Sequence, residues 1–238
     1  MTTILGRPLR LSHAASFEGM HRDIFIREIY RFSAVAERPR ILDCGANVGL
    51  ASIYLARRHP QARITAFEAD PRIAELTREN LDAFGLERVQ LVAAAVADHD
   101  GTVTFSATGD LAGRVGHDAS LQPKRTCVVP AVRLAPYLEE SVDFLKIDIE
   151  GAEHDVLAGV VDQLCNVRML FVEHHGFADE RQRLSELLQL LSGAGFRYYI
   201  TSAHDFRRCP MEDSELNCGM DLQLNIFCVR KDGLPTSG

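Results

Sequence analysis

The sequence predicts a doubly wound α/β fold, a mostly parallel seven-stranded sheet with an antiparallel C-terminal strand. Three observations lead there. Short apolar runs alternate with amphipathic helical stretches from residue 40 to residue 191, the pattern of strand–helix–strand units. A glycine-containing turn follows the first strong apolar run at Asp43-Cys-Gly-Ala-Asn-Val-Gly. The last two apolar runs, 196–201 and 222–230, have no helical pattern between them, so they should pair antiparallel.

Taken in order, residues of about 17–34 read as a helix carrying Ile24, Phe25, Ile29 and Phe32, with Pro39 after it. This defines an N-terminal helical extension over 1–38 and a main domain over 39–232. The strand 40–44 leads into a helix at 50–58, and the strand 62–68 into a helix at 71–84. Pro71 suits a first helical turn and Gly85 a stop. A third strand covers 88–94. Extended segments follow at 101–105 and 126–133, flanking a polar, glycine-containing stretch at 106–125. Then come a strongly apolar strand at 142–149, a helix at 152–164, a strand at 167–173 and a helix at 180–191.

The 238-residue chain is 46% apolar and 25% charged, with a net charge of −7. That composition supports a packed core and argues against a nucleic-acid backbone as the main partner, because there is no basic excess to displace counterions. No run of roughly eighteen apolar residues suggests a membrane span, and the first residues lack the apolar core of a secretory signal. Six cysteines, Cys44, Cys127, Cys165, Cys209, Cys218 and Cys228, lack metal-ligand spacing. They read as small buried hydrophobes in a reducing cytoplasm.

Ligands of such sheets bind beyond the carboxyl ends of the strands. At the first strand end, Gly45 and Gly49 should let the backbone approach a ligand. Glu68, 19 residues past Gly49, is placed to accept hydrogen bonds from both hydroxyls of a ribose. Dinucleotide binding wants glycines at 45, 47 and 50, where this chain has Asn47 and Leu50. Asp43 would also repel a pyrophosphate. S-adenosylmethionine (SAM) is a cation there and has no phosphate, so an acidic strand end favours it. The cofactor residues expected are Asp43, Gly45, Ala46, Asn47, Gly49, Glu68 and Ala69. A nucleotide triphosphate would want G-K-[ST], which is absent.

Asp43-Cys-Gly-Ala-Asn-Val-Gly, Phe67-Glu-Ala-Asp-Pro and Val142-Asp-Phe-Leu-Lys-Ile-Asp-Ile-Glu-Gly-Ala-Glu, in that order, resemble the FkbM-type methyltransferases over residues 24–230. The resemblance implies a Rossmann-like domain, SAM at Asp43, Gly45, Asn47 and Glu68, and methylation of a small-molecule, natural-product or glycan hydroxyl near Lys146, Asp148 and Glu150. Many SAM-dependent enzymes carry an acidic residue directly after the third strand, for adenine. This chain runs Ala93-Ala-Ala-Val-Ala before Asp98, which leaves Asp98 or a backbone group for that task.

Lys146, Asp148 and Glu150 alternate with Ile147 and Ile149, which should place the three charges on one face of a strand end. The next strand ends Glu173-His174-His175, and consecutive side chains of a strand point to opposite sides, so one histidine should face the site. The expected catalytic group is Lys146, Asp148, Glu150, His174 and His175, with a histidine as general base. A divalent metal on Asp148, Glu173 and His174 is the alternative to that base. Acceptor selection should fall to the N-terminal helix with Arg22, Arg27, Glu28 and Tyr30, to the 106–125 stretch acting as a lid, and to the 204–221 loop. A nicotinamide-dependent oxidoreductase and a non-catalytic SAM-binding domain are the competing readings.

Overall fold

The computed structural model describes residues 1–107, 113–115, 125–203, 211–212 and 216–230. The chain opens with a small hairpin, β1 (Thr2–Ile4) and β2 (Arg7–Leu9), and a helix α1 (Ala14–His21) that runs into a wider helical turn at Arg22–Ile26. The strand–helix units follow: β3 (Arg40–Cys44), α2 (Leu50–Arg58), β4 (Arg63–Phe67), α3 (Pro71–Ala83) and β5 (Gln90–Val92). Next come β6 (Ala95–Ala97), β7 (Gly101–Ala107), β8 (Gly113–Val115) and β9 (Arg125–Arg133). The chain closes with β10 (Val142–Ile147), α4 (Glu153–Ala158), β11 (Val167–Phe177), α5 (Leu184–Gly193), β12 (Phe196–Ser202) and β13 (Met220–Arg230).

The main sheet has seven strands in the order β12-β13-β11-β10-β3-β4-β5. All neighbours are parallel except β13, which runs antiparallel to both β11 and β12. The two closing strands pair as the sequence predicts, but β13 inserts inside the sheet and leaves β12 as the edge. One face of the sheet carries Ile41, Ile64, Phe144 and Phe171 into a core shared with α2 and the N-terminal segment. The other carries Leu42, Leu145, Leu170 and Ile226 onto α4 and α5. Leu42, Leu145 and Leu170 are almost wholly buried, and truncating one such leucine to alanine costs about 2–5 kcal/mol.

Three elements differ from the sequence prediction. The N-terminal helix does not continue to residue 34. Tyr30 and Phe32 are buried while Arg31 and Ser33 are exposed, a period of two that belongs to extended chain. Glu28, at φ 52°, makes the break. Tyr30 then packs edge-on against Phe171, with centroids 4.9 Å apart, and Phe32 stacks on Phe144 at 5.1 Å. Helix α4 stops at Ala158, followed by a turn and a 3₁₀ segment at Gln163–Asn166 that buries Leu164.

The third difference is a second sheet, in the order β6-β9-β7-β8. Its strands β7 and β9 fall on the two extended segments, but β6 is an alanine-rich run with weak strand propensity. The second sheet brings Ala95, Phe105 and Val129 together beside the end of β4. The 106–125 stretch expected to act as a lid and the 204–221 loop lie largely outside the described residues.

Candidate active site

The glycine turn connects β3 to α2, and its shape is set by the strands around it. Gly45, at φ 85°, is needed because a Cβ there would lie 1.7 Å from the carbonyl oxygen of Asp148 at the end of β10. At Gly49, φ 88°, a Cβ would meet Thr77 of α3 at 3.2 Å. Both glycines thus admit neighbouring protein rather than a ligand. The turn also satisfies its own donors. Gly45 and Ala46 donate to the Phe67 carbonyl, Gly49 to the Ala46 carbonyl, Asn47 to Glu68 Oε2 at 2.8 Å and Val48 to Asn47 Oδ1 at 2.7 Å. A phosphate-binding turn needs free N–H groups aimed outward. Here the donors of Gly45 through Gly49 are already used, which independently disfavours a dinucleotide.

Glu68 closes this half of the site. Its second oxygen accepts from the Asp70 N–H at 2.9 Å, so each carboxylate oxygen keeps a lone pair for a further donor. Burial raises its pKa to about 7, against the lowering effect of the two backbone donors.

Asp43 and Lys146 face each other across the β3–β10 ladder. Lys146 Nζ lies 3.3 Å from Asp43 Oδ1 and 3.2 Å from Asp148 Oδ2, and donates to the Gly45 carbonyl at 2.8 Å. Ser52 donates to the other oxygen of Asp43 at 2.7 Å. Asp43 is fully buried and does not line the cleft. It and Lys146 form a brace that ties the glycine turn to β10, where the sequence reading placed Asp43 against the cofactor.

Beyond Ile147 the chain leaves the sheet. Glu150 adopts φ 57°, so the two-residue alternation ends before it, yet its carboxylate still returns to the same group. On β11, Glu173 and His175 share one face and His174 takes the other. His175 Nδ1 is 2.8 Å from Glu153 Oε1. Its Nε2 lies 3.5 Å from Glu150, 3.8 Å from Glu173 and 3.9 Å from Asp148. Burial and the surrounding carboxylates raise Glu150 to about 8 and Glu173 to about 7. Burial opposes a charge on His175, but Glu150 and Glu153 outweigh it and hold its pKa well above the usual imidazole value.

A cleft of about 500 Å³ runs across these strand ends, lined by Gly45, Ala46, Asn47, Glu68 and Ala69 on one side and by Lys146, Asp148, Glu150 and Glu173 on the other. Neither histidine lines it. His174 is buried on the opposite face, its Nε2 without a hydrogen-bond partner among the described residues, and burial lowers its pKa. The metal alternative on Asp148, Glu173 and His174 therefore does not assemble; His175 stands where His174 was expected. Asp98 is exposed and paired with His99 at 2.6 Å. The cleft wall beside Phe67 is formed instead by Ala94, Ala95, Val96 and Phe105. Sequence reasoning missed Glu153, Gln223 and Phe105; the Glu153 carboxylate lies within the quoted motif, but the other two have no local signal.

The described lining residues include six carboxylates, Asp23, Glu68, Asp70, Asp148, Glu150 and Glu173, against the cations Arg22 and Lys146. Such a cleft favours cationic or hydroxyl-bearing ligands over anionic ones.

Comparison with known proteins agrees with this geometry. The methyltransferase FkbM domain profile matches residues 43–198, well over half of the chain. The chain belongs to the FkbM methyltransferase family. It is 31% identical over 155 residues to the 2-O-methyltransferase NoeI of Sinorhizobium fredii, covering 57% of this chain and 63% of that one. It is 26% identical over 219 residues to the 31-O-demethyl-FK506 methyltransferase FkbM of Streptomyces tacrolimicus, covering 77% and 83%. The crystal structure of methyltransferase FkbM from Methylobacillus flagellatus superposes with a TM-score of 0.53 at 17% identity, over 85% of this chain and 46% of that chain. At that identity the likeness is one of fold. The family thus accounts for the domain as a methyltransferase domain, while the chain spans under two thirds of NoeI's length and under half of the M. flagellatus chain.

One sequence expectation about the remaining side chains changes. Cys44 and Cys228 are buried, but Cys127, Cys165 and Cys218 are exposed; Cys209 lies outside the described residues. No helix among the described residues is long and apolar enough to cross a membrane.

Proposed function

We propose that this chain transfers the methyl group of SAM to a hydroxyl of a small molecule or glycan. The observation that carries the reading is the pairing of an acid-lined cleft with a glycine turn whose N–H groups are internally consumed. That combination suits a sulfonium cofactor and disfavours phosphate-bearing ones. The names of NoeI and of the Streptomyces enzyme, both O-methyltransferases, support a hydroxyl acceptor.

In this reading Glu68 accepts hydrogen bonds from the ribose hydroxyls with its two free lone pairs. Ala46, Asn47 and Ala69 shape the adjoining wall. Phe105 and the Ala94–Val96 backbone take the adenine side, in place of Asp98. Lys146 holds the turn and Asp148 in register and is not free to act on the acceptor. When bound, SAM supplies an already activated methyl group, so the protein's tasks are alignment, exclusion of water and removal of a proton.

The carboxylates that reach the cleft, Asp148, Glu150 and Glu173, are the groups placed to receive the acceptor's proton. Burial gives Glu150 and Glu173 the proton affinity for that task near neutral pH. His175 sits behind them as their common partner. This replaces the histidine base expected from the sequence. We place the reaction in the cytoplasm, a setting that suits a sequence whose six cysteines lack the spacing of a disulfide framework.

The test is thermal melting with SAM and with NADH, followed by incubation of a metabolite and glycan pool with methyl-labelled SAM and mass spectrometry. A ligand at about 100 times its Kd adds about 2.7 kcal/mol, a shift of roughly 5–10 °C for a chain of this size. A shift with NADH and none with SAM would overturn the reading in favour of an oxidoreductase. SAM binding with no labelled product from any hydroxyl-bearing pool would favour a binding domain.

A further inference from the structure

The carboxyl ends of β10 and β11 hold a donor set that methyl transfer by itself does not require. Asp148, Glu173 and His175 each turn one ligating atom into the same space, and the three atoms lie within 4.8 Å of one another. Donors on one ion, at about 2.0–2.2 Å from it, are roughly 3–3.5 Å apart. The observed separations of 3.8 and 3.9 Å from His175 Nε2 to Glu173 and Asp148 need only small side-chain movements to meet that condition.

Two further observations separate this group from an ordinary acidic cluster. His175, 1% exposed, is oriented as metal-ligating histidines are: its Nδ1 meets Glu153 Oε1 at 2.8 Å, and Glu153 is itself fixed by the Gly151 N–H at 2.9 Å. With Glu153 held on Nδ1–H, a cation among the carboxylates would displace the proton from Nε2 and take that nitrogen as its ligand. Independently, Glu150 Oε2 is a buried carboxylate oxygen with no hydrogen-bond partner among the described residues, 3.5 Å from that same Nε2. Two polar groups among the described residues compete for these ligands: Lys146, whose Nζ lies 3.2 Å from Asp148 Oδ2, and the side chain of Gln223. Its amide donates to Glu173 Oε1 at 2.6 Å and lies 3.3 Å from His175 Nε2, so it must turn toward the cleft it lines.

We propose that Asp148, Glu173 and His175, with Glu150 as a fourth donor, bind one divalent cation of the first transition row at the floor of the cleft. One imidazole among carboxylates favours Mn²⁺ or Zn²⁺ over Mg²⁺ and Ca²⁺, which prefer oxygen alone. Positions left open toward the cleft would let the ion polarise an acceptor hydroxyl, and with the ion bound the carboxylates would serve as its ligands and not as proton acceptors. That role rests on the methyl-transfer reading; the binding does not.

The experiment is titration of Mn²⁺ into the full chain after chelator treatment, read by the electron paramagnetic resonance signal of free Mn²⁺ and by calorimetry, with SAM calorimetry on the same preparation. One saturable Mn²⁺ per chain, displaced by Zn²⁺, is expected. D148N/E173Q should weaken it by about a hundredfold, and E153Q, which leaves all the proposed ligands in place and keeps an oxygen for the Gly151 N–H, by about tenfold. E153Q also serves if the double variant fails to fold. Absence of saturable binding at millimolar Mn²⁺, or equal affinity in the parent and E153Q, overturns the site. SAM binding without Mn²⁺ binding sinks the metal alone; Mn²⁺ binding without SAM binding sinks the cofactor reading and leaves the metal site standing.

Discussion

The two halves of the cleft are built from the ends of adjacent strands in one sheet, yet they are finished in opposite ways. In the glycine-turn half, the N–H groups of Gly45 through Gly49 have partners, both oxygens of Glu68 accept a backbone bond, and Lys146 ties the turn to β10. In the other half, Asp148, Glu150, Glu153 and Glu173 crowd around a single imidazole, and Glu150 retains a buried oxygen without a hydrogen bond. The first half is organised before any ligand arrives, so binding there loses little freedom. The second stores unfavourable electrostatics, an arrangement that perturbs proton affinities where chemistry needs it. The comparison teaches that the holding side keeps its turn N–H groups and Glu68 paired, with Asp43 Oδ1 facing Lys146 without a hydrogen bond, while the reacting side gathers four carboxylates around one imidazole.

The sharpest way to break this contrast is at the brace between the halves. Lys146→Met leaves Asp43 and Asp148 without their shared cation, and removing one member of a buried ion pair costs about 3–5 kcal/mol. Urea denaturation should show that loss; a change below about 1 kcal/mol would mean that the brace is not what holds the turn.

The next test separates holding from reacting. Glu173→Gln should lower kcat by about 10²–10⁴ with SAM affinity nearly unchanged in calorimetry. Glu68→Ala should do the reverse, weakening SAM by about 1–3 kcal/mol while kcat at saturating SAM stays close to the parent value. If either variant changes both quantities alike, the two halves do not divide the work.

A smaller effect is a pH-dependent one on stability. Glu68, Glu150 and Glu173 have folded-state pKa values raised from 4.5 to about 7, 8 and 7. Each therefore binds more protons folded than unfolded, and its contribution to stability, full below pH 4.5, is lost as pH rises through the raised value. Glu150→Gln should melt higher than the parent at about pH 8, with the gap closing by about pH 4. A constant gap across that range would place its cause elsewhere. The smallest effect concerns Glu68 itself. Since the ionised carboxylate is the better acceptor, SAM affinity should tighten a few-fold from about pH 6 to about pH 8, and Glu68→Gln should flatten that dependence.

Much of this molecule could be read without coordinates. The alternation of apolar runs with helical stretches placed β3, α2, β4, α3, β10 and β11 within a few residues, because those elements are local patterns with a fixed period. Glu68, Lys146 and Asp148 were legible as residues that line the cleft because a parallel sheet opens its cleft at the strand ends. The period-two side of β11 already implied that only one histidine could join the group.

What only the tertiary structure decided lies in contacts between distant segments. Residues 28–34 contain a helical spacing and a two-residue spacing at once, and the aromatic face of Phe144 and Phe171 selects the second. The pairing of β6 with β9 joins segments whose sequences say nothing of each other. Asp43 became a buried brace because β10 delivers Lys146 beside it, and Gly45 is required by the Asp148 carbonyl rather than by a ligand. His175, not His174, entered the carboxylate group because the face of β11 is set by its pairing with β10 and β13. A sequence determines which side chains share a face; which face meets which neighbour follows from the sheet order, and that order is a property of the whole chain.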